Sequence, residues 1–237
     1  MDRFVHLHVH SDYSFQDGLC PIPLLVRRVA EMGQPAVALT DHGNLHGMIE
    51  FLEACEQAGI RGIPGCEFYV APGDRRDRTP VAGEGREPKY FHLTVLAQDE
   101  TGWRNLLWLA SAAFLEGFYH RPRIDKALLQ TYGQGLIGLS GCLQGEIAQC
   151  LLQGGSMEEA IRLVETYQAI FGRDNFFLEI QFHGLEEDLY LNQRLLELAR
   201  RTGVPLVITN DAHYIRRSDH ELHEIRVRIQ TNTPVPE

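Results

Sequence analysis

The sequence predicts an α/β fold with a mainly parallel sheet, arranged either as a barrel or as a doubly wound sheet. Seven strand-like runs alternate with helical segments along the 237 residues, which is typical of strands joined by crossover helices. Short continuous apolar runs such as PAVALT at 35–40 have the pattern of strands buried on both faces. Neither a repeat nor a linker interrupts this order, so we expect residues 1–237 to form one domain.

The first predicted strand is FVHLHVH at 4–10, because apolar residues and histidines alternate there strictly. A helix then begins near Pro21 and Pro23 and ends at Gly33, since proline suits a first helical turn and glycine the position after the last one. The second strand is the apolar run at 35–40.

A helix over 46–58 and a strand over 60–70 follow. The stretch at 72–88 is rich in Gly, Pro and Arg and has no periodicity, so we expect a mobile surface loop. Its arginines are expected to form a solvated charge run: Arg75, Arg76 and Arg78. The remaining predicted strands cover 90–97, 136–140, 175–182 and 204–211, and the remaining helices cover 103–115, the segments on either side of 154–155, 185–201 and 219–229.

Composition excludes several classes of protein. The formal net charge of −10 argues against a free-standing nucleic-acid-binding module, which normally carries a basic surface. No apolar run approaches the roughly 20 residues of a membrane span, and the N-terminus lacks the apolar core of a signal peptide. The five cysteines are unevenly spaced without a CxxC pair, so we expect free thiols and not disulfides. Together with the lack of an apolar run, this predicts a cytoplasmic protein with no membrane partner.

Residue types that bind metals recur at the ends of the predicted strands. His8 and His10 end the first strand, and Asp211 and His213 end the last one. Other residues of these types lie at or near the intervening strands: Asp41, His42, Glu67, His92, Cys142, Glu179 and His183. Active sites of barrels and open α/β sheets form at the carboxyl ends of strands, so these residues predict a metal centre on one face.

The H-x-H pair is the sharpest element, because period-two geometry points both imidazoles to one side, close enough to share an ion. Alone it fits a half-exposed polar strand equally well, but the D-x-H at Asp211 and His213 repeats the arrangement on another strand. Taken alone, Cys142 would be interpreted as a buried small residue. Because other metal-binding residue types lie at the neighbouring strand ends, it becomes a candidate thiolate ligand.

The remaining histidines and Glu179 have weaker claims to the centre. Glu179 and His183 are candidates for supporting the ligands or facing the substrate. His6 is expected to be a packed residue at the entry end of its strand. Four histidines on predicted helices or loops are expected to be solvated: His46, His120, His220 and His223.

Six segments resemble, in order, the motifs of the polymerase and histidinol phosphatase (PHP) superfamily. They are HVHSDYSFQDG, LTDHGN, GCEFYV, the histidine of YFHLTVLA, SGC and TNDAHY. With the following DHELHEIRVRIQTN, TNDAHY is especially similar to the N-terminal PHP domains of bacterial replicative DNA polymerases. The resemblance implies a distorted seven-stranded (βα)7 TIM-like barrel with up to three divalent ions at the carboxyl ends of the strands.

The resemblance also implies a ligand set for each ion. One ion would be held by His8, His10, Glu67 and Asp211, which would carry the catalysis. A second would be held by the shared Glu67 with His92 and Cys142, and a third by Asp17, His42 and His213. All nine residues can ligate metals, which argues against a metal-free vestige, although many family members have histidine where this chain has Asp17. The mixed ligands suit zinc, and the third site could take manganese or iron.

Clustered divalent ions suit phosphoester hydrolysis, because they acidify a bound water and neutralise charge on the attacking and leaving oxygens. The resemblance implies a metal-dependent 3′ to 5′ exonuclease that acts on a DNA 3′ end, with the polymerase body in cis and other replicase subunits as partners. The alternatives are a histidinol-phosphate-type phosphatase and a metal-stabilised module that braces the polymerase. The family's polymerase carboxylates lie beyond this domain, so we expect a fragment whose last ten or so residues lead towards the polymerase body.

Overall fold

The computed structural model describes residues 4–79 and 90–234 of the chain. In these residues the strands are β1 (Ala36–Leu39), β2 (Arg61–Val70), β3 (Phe91–Ala97), β4 (Arg123–Ile124), β5 (Leu136–Leu139), β6 (Phe176–Ile180) and β7 (Leu206–Ile208). The α-helices are α1 (Ile22–Glu31), α2 (Met48–Ala58), α3 (Glu100–Leu115), α4 (Lys126–Tyr132), α5 (Glu146–Leu152), α6 (Met157–Phe171), α7 (Glu186–Thr202) and α8 (His220–Thr231). None of the described helices is long and apolar enough to cross a membrane.

The strands form one curled sheet in the order β1-β2-β3-β5-β6-β7, with β4 paired to β2. The pairs β1–β2, β2–β4, β5–β6 and β6–β7 are parallel, whereas β3 is antiparallel to both β2 and β5. The predicted α/β class is therefore confirmed, with a mixed sheet. The described strands form a path that is open between β1 and β7, so the complete (βα)7 barrel stays a prediction.

The prediction of a regular strand over residues 4–10 is wrong. This segment makes only isolated parallel bridges, from His6 to Val37 on one side and from Val9 to Ala212 on the other. The backbone N–H of Ala38 donates to the carbonyl of His6 at 2.8 Å, and the N–H of His10 donates to that of Ala212 at 2.9 Å. Because the segment shares its hydrogen bonds between β1 and the residues after β7, neither ladder becomes long enough to define a strand.

Strand β4 was missed because two residues are too few to show any periodicity. Strand β3 was predicted at the right place, but its direction could not be read from its own residues. It pairs with β2 over six positions, from Gly65 with Leu96 to Val70 with Phe91. Its amino end therefore lies beside the carboxyl end of β2.

Two large apolar clusters hold the helices against the sheet. The larger one packs α3 to α7 on β2, β3, β5 and β6, and the smaller one packs α1 and α2 on β1 and the segment that precedes α1. A third, small cluster contains Ala38, Leu96 and Leu139. Successive strand residues face opposite sides, so this cluster covers the other face of the sheet.

The predicted solvated run of arginines is wrong for Arg75, which is buried. Its Nη1 lies 2.9 Å from Asp125 Oδ2 and its Nε donates to Glu116 Oε2 at 3.0 Å. Arg123 is also buried and donates to the backbone carbonyls of Arg75 and Asp77. The ion pairs of Arg75 with Glu116 and Asp125 join residues 41 and 50 positions apart. Local periodicity carries no information about such distant contacts. The rest of the predicted loop, residues 80–88, lies outside the described residues.

Candidate metal centre

The candidate ligands converge on the sheet edge at which the parallel strands end. Glu67 lies in the carboxyl-terminal half of β2, and Asp211 follows the carboxyl end of β7. His92 is the second residue of β3, and it reaches the same edge because β3 runs antiparallel. In a uniformly parallel sheet its position near the start of a strand would place it at the opposite edge.

Four buried or nearly buried side chains form the first group. His8 Nε2 lies 3.3 Å from Glu67 Oε1 and 3.3 Å from Asp211 Oδ1. His10 Nε2 lies 3.1 Å from Asp211 Oδ1 and 3.6 Å from Glu67 Oε2. Asp211 has φ +46°, a left-handed conformation that Asp and Asn tolerate better than most residues. The two imidazole nitrogens and the two carboxylates therefore face a common point.

Glu67 also joins a second group. Its Oε1 lies 3.0 Å from His92 Nδ1, and the Cys142 Sγ lies 3.7 Å from each of those two atoms. In a third group, Asp17 Oδ1 lies 3.3 Å from His42 Nε2 and 3.8 Å from His213 Nε2. His42 Nδ1 is 2.6 Å from Glu67 Oε2, so His42 connects the two groups.

The structure brings all nine residues named from the sequence into one cluster, but its groups overlap more than the three ligand sets that the resemblance implies. Ligand atoms lie within 4.8 Å of one another in three combinations: His8 with His10 and Asp211, His10 with His42 and His213, and His42 with Glu67 and His92. His10 and His42 each belong to two of them. The groups therefore share His10 and His42, and each of these histidines could ligate an ion in either of its two groups.

Bound cations fit the cluster because its polar atoms are buried without hydrogen bonds. Within the described chain, six such atoms belong to it: His8 Nε2, His10 Nε2, Asp17 Oδ1, His42 Nδ1, Glu67 Oε2 and Asp211 Oδ1. Each buried polar group left without a partner costs about 1–3 kcal/mol, so native structures rarely collect several in one place. Imidazole nitrogens and carboxylate oxygens are ligands of zinc and related divalent ions.

Ser14 sets the tautomer of His10. The Ser14 hydroxyl donates its one proton to Asp41 Oδ1 at 2.7 Å. It therefore acts as an acceptor for His10 Nδ1, which lies 3.0 Å away. His10 Nδ1 consequently carries a proton, and the lone pair of Nε2 faces the cluster.

His8 and His213 are oriented by the same principle. His8 Nδ1 lies 2.7 Å from Glu179 Oε1, so it donates to this carboxylate and leaves Nε2 free to bind. His213 Nδ1 lies 2.9 Å from the backbone carbonyl of Asp211, which accepts its proton. Three histidines thus present Nε2 as the binding atom.

Burial and neighbouring charges shift the ionisation of these groups strongly. Burial opposes protonation of His8, but Asp211, Glu179 and Glu67 outweigh it and raise the pKa well above its usual value. Burial and the neighbouring His42 and His213 lower the pKa of His10 to about 3. Burial and nearby carboxylates, first Glu67, raise the pKa of the Cys142 thiol. A divalent ion would therefore compete with protons for His8 and Cys142 but not for His10.

The sequence named Glu179 as a candidate for supporting the ligands, and it lies behind His8, but the sequence did not reveal the other residues with this role. Asp41 follows β1 as a candidate ligand would, but its carboxylate instead binds the backbone N–H and the hydroxyl of Ser11, both at 2.7 Å. Gln181 and Thr209 surround Glu179 behind His8. The serines of the HSDYS segment were the available signal, because short hydroxyl side chains there can bind a carboxylate at the next strand end.

The other histidines largely follow their predictions. His46, His120 and His220 are exposed, and His6 is half-buried with its ring centroid 4.8 Å from that of Phe4. His223 is an exception, because its ring lies 5.7 Å from that of His213 and burial lowers its pKa. His183 borders the centre without joining it, and its Nε2 lies 2.9 Å from the carbonyl of Asn210.

Two cavities are lined in part by residues of the cluster. One, of about 490 Å³, is lined by Asp211 and His213 together with Phe182 and Tyr214. The other, of about 310 Å³, is lined by His42 among several aromatic side chains. Each cavity therefore reaches candidate ligands of the cluster.

A mixed α/β sheet that gathers histidines, carboxylates and a cysteine at one edge defines a candidate metal-binding domain. The model of the PHP domain family matches residues 6–183, and the chain belongs to this family. The chain is similar to the DNA polymerase III subunit alpha of Treponema pallidum, with 49% identity over 228 residues. That match covers 96% of this chain and 19% of the relative, so the chain spans about a fifth of the relative's length.

Solved structures with low sequence identity share the fold. An amidohydrolase from Chromobacterium violaceum superposes with a TM-score of 0.54 at 16% identity, covering 94% of this chain and 96% of that one. A protein from Bifidobacterium adolescentis, assigned as a metal-dependent phosphoesterase, gives a TM-score of 0.53 at 16% identity and covers 90% of this chain and 88% of that one. These likenesses concern the fold, and they cover 90% or more of this chain.

Proposed function

We propose that residues 1–237 form the PHP domain of a DNA polymerase III alpha subunit and act as a metal-dependent phosphoesterase that removes nucleotides from a DNA 3′ end. The observation that carries this proposal is the convergence of nine candidate ligands, together with six buried polar atoms that lack hydrogen bonds. The similarity to a polymerase III alpha subunit over 96% of the chain supports DNA as the substrate. The phosphoesterase assignment of a structural relative supports the reaction class.

In this proposal His8, His10, Glu67 and Asp211 would hold one ion. Glu67 would share a second with His92 and Cys142, and Asp17, His42 and His213 would hold a third. Zinc suits the mixed donors, and manganese or iron suits the third set. When bound, such ions acidify water and neutralise charge on phosphate oxygens. The chain itself orients the ligands, since Glu179 and Ser14 fix which nitrogens of His8 and His10 face the ions.

The parent protein's activity also belongs to this proposal. For the parent protein we propose DNA-directed DNA synthesis, other replicase subunits as partners and a cytoplasmic location, and the similarity to a DNA polymerase III subunit alpha, of which this chain spans about a fifth, supports the polymerase assignment. The remainder of the alpha subunit would be the partner in cis. It would supply the grip on DNA that a chain of net charge −10 lacks.

The test is a side-by-side assay of the purified chain with manganese or zinc, on 3′-labelled single-stranded DNA and on histidinol phosphate. We expect release of nucleotides from the 3′ end, with His10→Ala and Asp211→Asn at least about 100-fold slower, within the range seen when single catalytic groups are removed. Asn suits position 211 because it tolerates the positive φ found there. The exposed His220→Ala is the matched control.

Two results would replace the proposal. Faster turnover of histidinol phosphate than of DNA would make the protein a small-molecule phosphatase. If the wild-type chain hydrolyses neither substrate even at saturating substrate concentrations, and the two site variants lower only the melting temperature, the ions brace the domain and have no catalytic role.

A further inference from the structure

The cavity of about 310 Å³ beside the metal centre is lined by several aromatic residues that do not belong to the ligand cluster. His42 belongs to its wall and to the cluster. The other residues that matter for its chemistry are Phe15, Tyr69, Phe114, Phe118 and Arg121. A molecule in this cavity would therefore touch a candidate metal ligand and an aromatic surface at the same time.

Three phenylalanines in this wall are open to solvent. Phe15 is 69% exposed, Phe118 47% and Phe114 42%. Leaving this much aromatic surface in water is unfavourable, and exposed apolar patches mark binding sites. Phenylalanine faces are the platforms on which nucleobases stack.

Tyr69 joins the aromatic wall to the ligands. Its ring is stacked on that of His42 with a centroid distance of 6.0 Å, and it meets the ring of His92 edge-on at 5.2 Å. On the same ring, the guanidinium carbon of Arg121 lies 5.7 Å from the centroid. A cation and the metal ligands therefore flank the aromatic wall, which matches a nucleotide with an uncharged base and an anionic phosphate.

We infer that this cavity is a nucleobase subsite, in which Phe15, Phe114 and Phe118 stack the base of the nucleotide whose phosphate lies at the metal centre. This inference rests on the proposed function and specifies its substrate. The cavity of about 490 Å³ has only Phe182 and Tyr214 as exposed Phe, Tyr or Trp side chains among its described lining residues. A protein-docking face would not need a cavity that reaches a metal ligand.

The test measures binding, so that it does not depend on hydrolysis. The affinities of the chain for dAMP and for deoxyribose 5-phosphate, which lacks the base, are compared by calorimetry with zinc present. We expect dAMP to bind about 5- to 100-fold more tightly, the range for stacking one base on an aromatic side chain. Phe15→Ala and Phe114→Ala should remove most of this preference and leave the affinity for deoxyribose 5-phosphate unchanged.

Two further variants test whether the lost preference for dAMP is due to lost stacking. Leu115 lies on the same helix as Phe114 and is 85% exposed, but it does not line the cavity. Leu115→Ala should therefore keep the full preference for dAMP over deoxyribose 5-phosphate. Phe114→Trp should restore the preference that Phe114→Ala removes, which separates loss of stacking from loss of folding. Melting curves of all variants accompany the titrations.

Each outcome has one meaning. Equal affinity of the wild-type chain for the two ligands would overturn the subsite, and so would Phe variants that behave like Leu115→Ala. The latter result would instead favour a protein-docking surface. If the chain prefers dAMP but hydrolyses no DNA, the subsite inference holds and the exonuclease proposal is overturned.

Discussion

His8 Nδ1 lies 2.7 Å from Glu179 Oε1, and both side chains are completely buried. The contact joins positions 171 residues apart and leaves His8 Nε2 facing Glu67 and Asp211. Carboxylates behind ligating histidines keep the correct tautomer and raise the basicity of the ring. Glu179 is therefore a positioning residue for the candidate metal centre.

Replacing Glu179 with glutamine should weaken metal binding about 10- to 100-fold, the range for such supporting partners. The amide keeps the shape of the carboxylate but loses the charge that favours donation from His8 Nδ1. Competition with a chromogenic chelator measures the affinity. Glu187→Gln, on the exposed face of the following helix, is the control. An unchanged affinity in Glu179→Gln would show that His8 does not depend on this contact.

Protein purified without chelator should carry roughly two or three divalent ions per chain, as counted by elemental analysis. Their removal should lower the melting temperature, because ions that bind the folded chain stabilise it and because the six buried ligand atoms make no hydrogen bonds that could replace the ions. Adding zinc back should restore the original melting temperature. A metal content near zero, or a melting temperature that does not respond to the chelator, would contradict the metal centre.

Arg226→Ala should loosen the loop that carries Asp17. Helix α8 has no buried residues, yet Arg226 Nη2 donates to the carbonyl of Phe15 at 2.8 Å, and Gln230 Nε2 donates to Gln16 Oε1 at 2.8 Å. Losing the Arg226 bond should increase amide hydrogen exchange in the loop about 2- to 10-fold, equivalent to about 0.5–1.5 kcal/mol.

Arg228→Ala is the matched control for this experiment. Arg228 lies on the same helix and pairs with Glu224, without touching the loop. Its substitution should leave exchange in the loop unchanged. Equal exchange in both variants and the wild type would mean that α8 does not hold the loop.

Asp125 should make the chain less stable in acid. Burial opposes its ionisation, but the N–H groups of Arg75 and Leu128 and the Arg75 guanidinium outweigh it and hold the pKa below its usual value. A carboxylate with a lowered folded-state pKa stabilises the protein above its unfolded pKa of about 4, and this contribution is lost as the pH falls through the folded-state value.

Asp125→Asn should therefore destabilise the protein by about 1–3 kcal/mol at pH 7. The difference from wild type should shrink as the pH falls below about 4, where the wild-type carboxyl group also becomes neutral. Urea unfolding of both chains at several pH values measures this, with the exposed Asp174→Asn as control. A difference that does not depend on pH would assign the loss to packing alone.

Several predictions from sequence failed where long-range pairing decides the structure. The alternation at residues 4–10 indicates a strand, but the segment bends at His8 and shares its bridges between Val37 and Ala212, which prevents a regular strand. The arginines near residue 75 look like a solvated run, but Asp125 and Glu116 bury one of them. In both cases the deciding partners are distant in the sequence.

The residues themselves determine the α/β class, the positions of most helices and strands, and the family. Periodicity reports local backbone geometry. The nine candidate ligands lie in short sequence motifs, which can be recognised without knowledge of contacts. Only the folded chain decides that β3 runs antiparallel and so brings His92 to Glu67, and that Glu179 and Ser14 orient His8 and His10. It also decides that Phe15 and Phe114 line one cavity with His42. These relationships depend on strand direction and on contacts between distant segments, which local periodicity does not encode.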